Sequence, residues 1–231
     1  MRPLLLAATA LALAAPAAAE AQSVDRQIAD LTARVEKLEG TRAILKLQRA
    51  FGYYVDRGLW KQAADLFADD GSVEIGIDGV YMGRDRIEEY LRRLHGGQEG
   101  LIYGQLNEWV TLQPSIIVAE DGRSGTGRWR DVGMLGQYKQ HAEWRDGIYE
   151  NTYEKGADGI WRIKALHLYV NFVAPYERGW ARLRGEEGLV RSQAAADFPP
   201  DRPPSATYAP FPAVQVPPFQ QPNPVTGRPV R

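Results

Sequence analysis

Tyr53 and Asp56 have side chains that can exchange protons, and their spacing can bring them together. They lie three positions apart in YYVDRGLW (53–60), which places both on one face of a helix. A phenol and a carboxylate that face one pocket can serve as acid and base. Alternatively, Asp56 caps the next helix and Tyr53 is half-buried core. Tyr54 points about 100° away from Tyr53 and is a candidate for the pocket wall.

His167 is the best candidate proton carrier among the three histidines. In RIKALHLYVNF (162–172), strand alternation puts His167 and Tyr169 on a polar and aromatic face, opposite an aliphatic face. The aliphatic face suits the packed side of a sheet, and the other face suits a cavity. A structural histidine with satisfied hydrogen bonds is the alternative. His95 in LHGG is interpreted as a helix C-terminal cap, and His141 as an exposed loop residue.

Three other predicted strands supply candidate substrate-binding side chains. Asn107 and Trp109 share one strand face, as do Tyr149 and Asn151 in YENTY. Arg128 is one of two arginines on a face of GRWRDV. The pair is either exposed to solvent, which is the simpler reading, or contributes a buried guanidinium that binds an anionic oxygen.

Composition excludes several kinds of site. The chain has no cysteine, so it has no disulfide, no thiol nucleophile and no thiolate metal site. Its histidines are far apart in sequence, and it has no glycine-rich phosphate loop, so we expect neither a metal nor a cofactor. The net charge of −1 lacks the excess of positive charge that is typical of nucleic-acid-binding proteins. A pocket of tyrosine, tryptophan and amide side chains suits a small aromatic substrate.

The N-terminus is predicted to be a signal peptide over residues 1–21. Arg2 begins it, a short apolar run follows, and Ala19-Glu20-Ala21 forms a small-residue cleavage site. An uncleaved anchor is the weaker interpretation, because the apolar run is broken at Pro16. We therefore expect a periplasmic or secreted protein with no membrane association after cleavage.

Residues 22–41 are predicted to form an amphipathic helix that Gly40 interrupts. Five apolar residues follow a four-three spacing on one stripe: Val24, Ile28, Leu31, Val35 and Leu38. Two heptads are few for a coiled coil. The helix either docks on its own domain, which is the simpler alternative, or pairs with another subunit, and we expect a homodimer.

The remaining chain is predicted to be an α+β domain with a C-terminal tail. Helices over 42–58 and Trp60–Ala68 precede a turn at 69–71, a strand at 72–77 and a helix at Arg84–Leu94. The β-rich stretches come later: Leu106–Val118, Gly125–Leu135, Gly147–Lys155 and Trp161–Phe172. From residue 188 to residue 231 the chain is proline-rich. Tyr208, Phe211 and Phe219 are expected to hold this tail on the surface or on a partner subunit.

Several motifs, in this order, resemble the SnoaL-like branch of the nuclear-transport-factor-2-like superfamily: YYVDRGLW, LFADDGSVEIG, GVYMGRDRIEEYL, GRWRDV and DGIWRIKALH. The resemblance covers about Arg42 to Trp180 and implies a SnoaL-like domain over 42–187. In this superfamily a curved mixed or antiparallel sheet and the first helices form a cone around a deep pocket. Its members include dehydratases, isomerases, cyclases, lyases and non-catalytic binders, so the fold does not fix the function.

The resemblance also assigns roles to particular positions. Asp56 stands at the family's helix-end acid position, and the face that carries Tyr149 turns inward. Asn151 stands where relatives often place an acid or an amide. Trp109 replaces the histidine of many relatives, and an indole cannot accept and return a proton, so we expect Trp109 to stack on an aromatic substrate instead.

These observations predict a cofactor-independent acid/base lyase that acts on an aromatic, phenolic small molecule. His167 or Asp56 is the expected base, and a tyrosine is the expected acid or phenol-binding group. The tail and the aromatic pocket look most like the γ-formaldehyde lyases of lignin-derived dimers. The alternatives are a dehydratase or isomerase on a polycyclic substrate, and a secreted protein that binds a small molecule without catalysis.

Overall fold

The computed structural model describes residues 14–184, 187, 189–213, 217 and 219–230, with the backbone alone for 14–22. Most of the predicted signal peptide, residues 1–13, lies outside this part of the chain. The residues up to Glu39 and the residues from Gly40 onward form two compact units. Among the described residues, no helix combines the length and apolarity needed to cross a membrane.

The elements follow the expected order of helices first and long strands later. The helices are α1 (Ala14–Asp56), α2 (Trp60–Ala64), α3 (Arg84–Leu94) and α4 (Gln193–Asp197), with a short 3-10 helix at Trp180–Arg182. The strands are β1 (Phe67–Ile75), β2 (Val80–Met82), β3 (Gln105–Val118), β4 (Ser124–Gln137), β5 (His141–Lys155) and β6 (Trp161–Pro175).

All six strands form one sheet in the order β2-β1-β6-β5-β4-β3. The β1 and β6 strands pair in parallel, and the other neighbours are antiparallel. The core lies between this sheet and helices α1 to α3, and its largest fully buried side chains include Trp60, Trp129, Tyr90 and Phe51. The predicted α+β class with a mixed sheet is confirmed.

Helix α1 does not end at Gly40, contrary to the prediction. The residue lies inside the helix, where a β-carbon would come within 3.1 Å of the Trp161 ring and 3.2 Å of Val118. Glycine at this position therefore permits close packing between helix and sheet. That packing outweighs the helix propensity cost of about 1 kcal/mol.

Strand β1 begins earlier than predicted. Phe67 and Ala68 belong to the strand and not to the preceding helix, and the expected turn at 69–71 lies inside it. The pairing with β6 shifts register between Phe67 and Ser72, so the polar Asp-Asp-Gly segment is accommodated as an irregularity of the strand. Helix α3 has the predicted bounds, whereas β5 starts at His141 and not at Gly147.

Candidate functional site

A cavity of about 760 Å³ opens among the end of β1, the end of α3, the start of β3, the β4–β5 turn, strand β6 and the chain at residues 187 and 189–192. Its volume is typical of sites for small organic ligands. Much of the wall is aliphatic, with contributions from Ile75, Leu94, Leu135 and Val170. The buried polar groups in its lining include Asp78, His95, Asn107 and Arg145, and the indole of Trp109 lies among them.

His95 lies immediately after helix α3, and its side chain is held by that helix. Its Nδ1 atom is 2.7 Å from the Leu91 carbonyl oxygen. A carbonyl can only accept, so Nδ1 carries the proton and donates it. The Nε2 atom, on the opposite side of the ring, makes no hydrogen bond with any described residue. His95 therefore presents an unprotonated nitrogen that can accept a proton.

Aromatic packing keeps the His95 ring in place and uncharged. The Trp60 ring stacks on it, with 4.8 Å between centroids, and the Trp109 ring lies at 5.3 Å. Burial lowers the pKa of His95 from 6.5 to about 4, and the charge of Arg145 acts in the same direction. At neutral pH the imidazole is consequently in its basic form.

Arg145 is a permanent positive charge in the cavity wall. It is 5% exposed and forms a two-point ion pair with the fully buried Asp131, with Nε 2.7 Å from Oδ2 and Nη2 3.1 Å from Oδ1. Its guanidinium carbon lies 3.7 Å from the centroid of the Trp109 ring. A β-carbon at Gly133 would approach the guanidinium to 3.2 Å, so glycine leaves space for it. The guanidinium is thus fixed where it can stabilise a developing negative charge.

Trp109 is fixed at both of its nitrogens. Its backbone N–H donates to Asp56 Oδ1 at 2.6 Å, and its indole N–H donates to Asn107 Oδ1 at 2.9 Å. The Asn107 amide in turn donates to the Val55 carbonyl at 2.7 Å. Through these bonds Asp56 and Asn107 join the end of α1 to strand β3. Arg145 covers one face of the indole. Trp109 also forms part of the cavity wall.

The structure separates Asp56 from its expected partner Tyr53. Asp56 is half-buried, and desolvation raises its pKa while the Trp109 backbone hydrogen bond opposes the rise. It lies behind Trp109 and does not line the cavity. Tyr53 is 69% exposed, and Tyr54 is partly buried against the core. Neither tyrosine lines the cavity.

Tyr149 and Asn151 point inward, as expected, but they lie in the core and do not line the cavity. Burial raises the pKa of Tyr149 well above 10, and the charge of Asp131 adds to the effect. Asn151 donates to Gln48 at 2.9 Å and accepts from the His167 backbone N–H at 3.0 Å. It therefore bridges helix α1 and strand β6.

His167 and Tyr169 do not face the cavity, so the predicted orientation of β6 is wrong. Val170, on the opposite face, lines the cavity instead. His167 shares a hydrogen bond of 2.7 Å with the Tyr208 hydroxyl through Nε2 and stacks on Tyr169 with 3.8 Å between centroids. Burial lowers its pKa to about 4. The C-terminal tail of the same chain therefore covers the polar and aromatic face.

The tail also binds Glu74, the neighbour of His167 on strand β1. Both oxygens of Glu74 accept from Ser205, one from the backbone N–H at 2.8 Å and one from the hydroxyl at 2.6 Å. Glu74 Oε1 lies 3.6 Å from His167 Nε2. Glu74, His167, Ser205 and Tyr208 are named the tail-covered cluster below.

Arg128 is neither fully exposed nor part of the cavity. Its guanidinium pairs with the buried Glu150 and lies 3.9 Å from the centroid of the Phe219 ring. The prediction that Arg128 belongs to a solvent-exposed arginine pair is therefore wrong. The aromatic residues of the tail are held as expected on the surface, since Phe211 packs on Phe172 with 5.9 Å between ring centroids.

Sequence analysis did not predict that His95 and Arg145 line the cavity. His95 follows helix α3 as predicted. Because that helix packs on the sheet, the position of His95 at its end could have indicated burial. Arg145 directly follows QYKQHAEW (137–144), the segment around His141 that was interpreted as a loop, and precedes the strand predicted from Gly147. His141, within this segment, is exposed and lines the cavity mouth. In the described part of the chain, no three acidic or histidine side chains are grouped so that they could bind a metal.

Comparison with known proteins agrees with this architecture. The sequence matches the family model of the SnoaL-like domain over residues 36–167, more than half of the 231 residues. No curated protein sequence matches the chain.

Two solved structures from Novosphingobium illustrate the likeness. A candidate scytalone dehydratase from Novosphingobium aromaticivorans DSM 12444 superimposes with a TM-score of 0.52 and 19% identity, covering 68% of this chain and 95% of that one. A hexachlorocyclohexane dehydrochlorinase, LinA-type3, from Novosphingobium barchaimii LL02 gives a TM-score of 0.51 and 18% identity, covering 62% and 93%. At this identity the likeness shows the fold alone.

Proposed function

The chain belongs to the SnoaL-like domain family, and we propose that it is a lyase that eliminates a group from an aromatic, phenolic small molecule. One observation carries this proposal. In a cavity of ligand size, the neutral His95 and the fixed charge of Arg145 both line the wall and both pack against the Trp109 ring. A base next to a stabiliser of negative charge is what proton abstraction and elimination require.

An aromatic substrate fits the walls of the cavity. Leu94, Leu135 and Val170 offer apolar surface to a ring. The guanidinium of Arg145 can bind a phenolic oxygen and also lie against an aromatic plane. Gln105 and Gln137 at the mouth supply amides for hydroxyl groups.

In the simplest form of the reaction, His95 Nε2 takes a proton while the electrons of the broken bond move into the substrate's conjugated system. Arg145 stabilises the negative charge that develops on oxygen. If hydroxide leaves with a proton, the products are an alkene and water. This sequence is a dehydration and needs only an acid, a base and positioning.

The more specific proposal is release of formaldehyde from a diaryl dimer. The benzylic hydroxyl first leaves as water, which gives a quinone methide. His95 then deprotonates the terminal hydroxyl, the adjacent carbon–carbon bond breaks, and formaldehyde departs. The electron pair of that bond forms the stilbene double bond and turns the quinone methide into a phenolate. The phenolate then takes the proton from His95, which restores the phenol and the neutral imidazole.

Asp56 and Asn107 act in this proposal as positioning residues. They hold Trp109, which in turn packs against both His95 and Arg145. Loss of either would displace two reacting groups at once, and a misplacement of about 1 Å can cost on the order of 100-fold in rate. Tyr53 and His167 take no part, because neither side chain lines the cavity.

The test is to incubate the purified protein, without added metal or cofactor, with a panel of phenolic diaryl dimers. Stilbene absorbance and formaldehyde are followed together. His95→Gln removes the proton acceptor, and His167→Gln is the matched control because its side chain does not line the cavity. We expect activity in the parent and in His167→Gln and loss of activity in a folded His95→Gln variant.

The products and the ligand affinity distinguish the alternatives. Stilbene with formaldehyde supports the carbon–carbon lyase, and a product that has lost only water supports a dehydratase. If every panel member binds in the cavity but none is converted, the protein is a small-molecule binding protein and the enzymatic proposal is wrong. Full activity in a folded His95→Gln variant would reject the role of His95 alone.

A further inference from the structure

The first unit of the chain presents an unpartnered apolar stripe along helix α1. It consists of five residues whose exposed fractions lie between 51% and 70%: Val24, Ile28, Leu31, Val35 and Leu38. Their four-three spacing is the repeat that keeps one seam of a helix against a partner helix. A contiguous row of five solvent-exposed aliphatic side chains promotes aggregation unless a partner covers it.

We propose that a second copy of this chain covers the stripe, in a parallel two-stranded coiled coil over residues 24–39. The residue types favour this partner. In heptad terms, β-branched Ile28 and Val35 occupy the a positions, and Leu31 and Leu38 occupy the d positions. This distribution favours two parallel strands over three or four.

The flanking charges favour the parallel orientation. Arg34 occupies a g position and Glu39 the e position five residues later, so in a parallel pair each Arg34 faces Glu39 of the other copy. In an antiparallel pair g faces g and e faces e. In the register that pairs Leu31 with Val35, Arg34 faces another Arg34 and Asp25 faces Glu39, which places like charges together. In the register that pairs Ile28 with Leu31, Arg34 faces the neutral Gln27, so the attraction of the parallel pair is absent.

Two heptads suffice here because the helix is already formed. Isolated helices of this length are marginal, since nucleation is costly. The stripe, however, is part of the continuous 43-residue helix α1. Pairing therefore adds burial of apolar surface without the cost of forming a new helix.

Cysteine cross-linking tests both pairing and direction, because the native chain contains no cysteine. Val24→Cys and Leu38→Cys occupy the two ends of the stripe at d positions. In a parallel pair each meets its own copy, so each variant alone should form a disulfide-linked dimer on mild oxidation. In an antiparallel pair neither position lies opposite itself. Ala33→Cys, on the outer face of the same helix, is the control and should remain monomeric on a denaturing gel.

Sedimentation tests the contribution of the seam and the charges. Leu31→Asp should raise the dimer dissociation constant by at least about 100-fold, because two leucines leave the seam. Arg34→Glu and Glu39→Arg should each weaken the dimer, and the double variant should restore it. A helical and folded protein that stays monomeric, or that shows no cross-link at residues 24 and 38, would overturn the proposal. A dimer unaffected by Leu31→Asp would also overturn it.

Discussion

The cavity and the tail-covered cluster each bury one histidine whose pKa is lowered to about 4 by desolvation. Each histidine has one ring nitrogen in a hydrogen bond, Nδ1 of His95 with the Leu91 carbonyl and Nε2 of His167 with the Tyr208 hydroxyl. They differ in position, because His95 lines the cavity and His167 does not. A depressed pKa therefore reports burial in both regions. Access to the cavity distinguishes a histidine that can meet a ligand from a structural one.

The largest expected difference between the two regions is kinetic. His95→Gln should lower kcat/KM by about 10²–10⁴-fold, the usual contribution of a general base, while His167→Gln should stay within about threefold of the parent. Both variants are assayed on the substrate found in the panel, after circular dichroism has confirmed their folding. Equal losses in the two would show that the tail-covered cluster also contributes to turnover.

The buried charges should differ in their contribution to stability. Asp131→Asn leaves the buried Arg145 without its counter-charge, so we expect the free energy of unfolding to fall by about 3–5 kcal/mol. Glu74→Gln keeps an acceptor for Ser205 and has only a neutral imidazole beside it, so about 1 kcal/mol is expected. Urea unfolding at pH 7 measures both. A larger loss for Glu74→Gln than for Asp131→Asn would contradict this comparison.

Stability should fall as the pH decreases from about 6.5 to about 4. In this window the unfolded histidines, with pKa near 6.5, bind protons that the folded His95 and His167 do not. Each contributes up to about 3 kcal/mol of loss, and below pH 4 this contribution no longer changes. Urea titrations at several pH values should give a shallower decline in His167→Gln. An unchanged slope would mean that His167 is not buried in solution.

The smallest expected effect belongs to the tail. Tyr208→Phe removes the hydroxyl that bonds His167 and should cost about 1 kcal/mol of stability. Because this hydroxyl is remote from the cavity lining, kcat/KM should not change. Thermal unfolding and the standard assay measure the two quantities. A fall in kcat/KM at constant stability would show that the contact between Tyr208 and His167 influences the cavity.

Much of the fold was predictable because its signals are local. Helix α3 has the predicted bounds, since its apolar spacing ends at paired glycines. The start of strand β1 was not predictable, because the register irregularity before Ser72 depends on pairing with β6, which is distant in sequence.

The candidate site was harder to predict for a related reason. Strand alternation correctly separated the two faces of β6, but it does not reveal which face a later segment covers. The tail covers the face of β6 that carries His167, and the opposite face contributes Val170 to the cavity lining. Asn107 and Trp109 were found because they lie on the cavity face of β3. Arg145 was missed because it lies between a segment interpreted as a loop and the strand predicted from Gly147, although it pairs with Asp131 across two strands.

The tail also sets an order of events during folding. Ser205 and Glu74 are 131 residues apart, so their contact is among the most non-local in the chain, and Ser205 is synthesised long after the strands. Such contacts form late, because the loop-closure entropy must first be overcome. Until then Glu74 and His167 remain hydrated and carry no desolvation penalty. We therefore expect the sheet to assemble around the cavity first and the tail to bury its polar outer face afterwards.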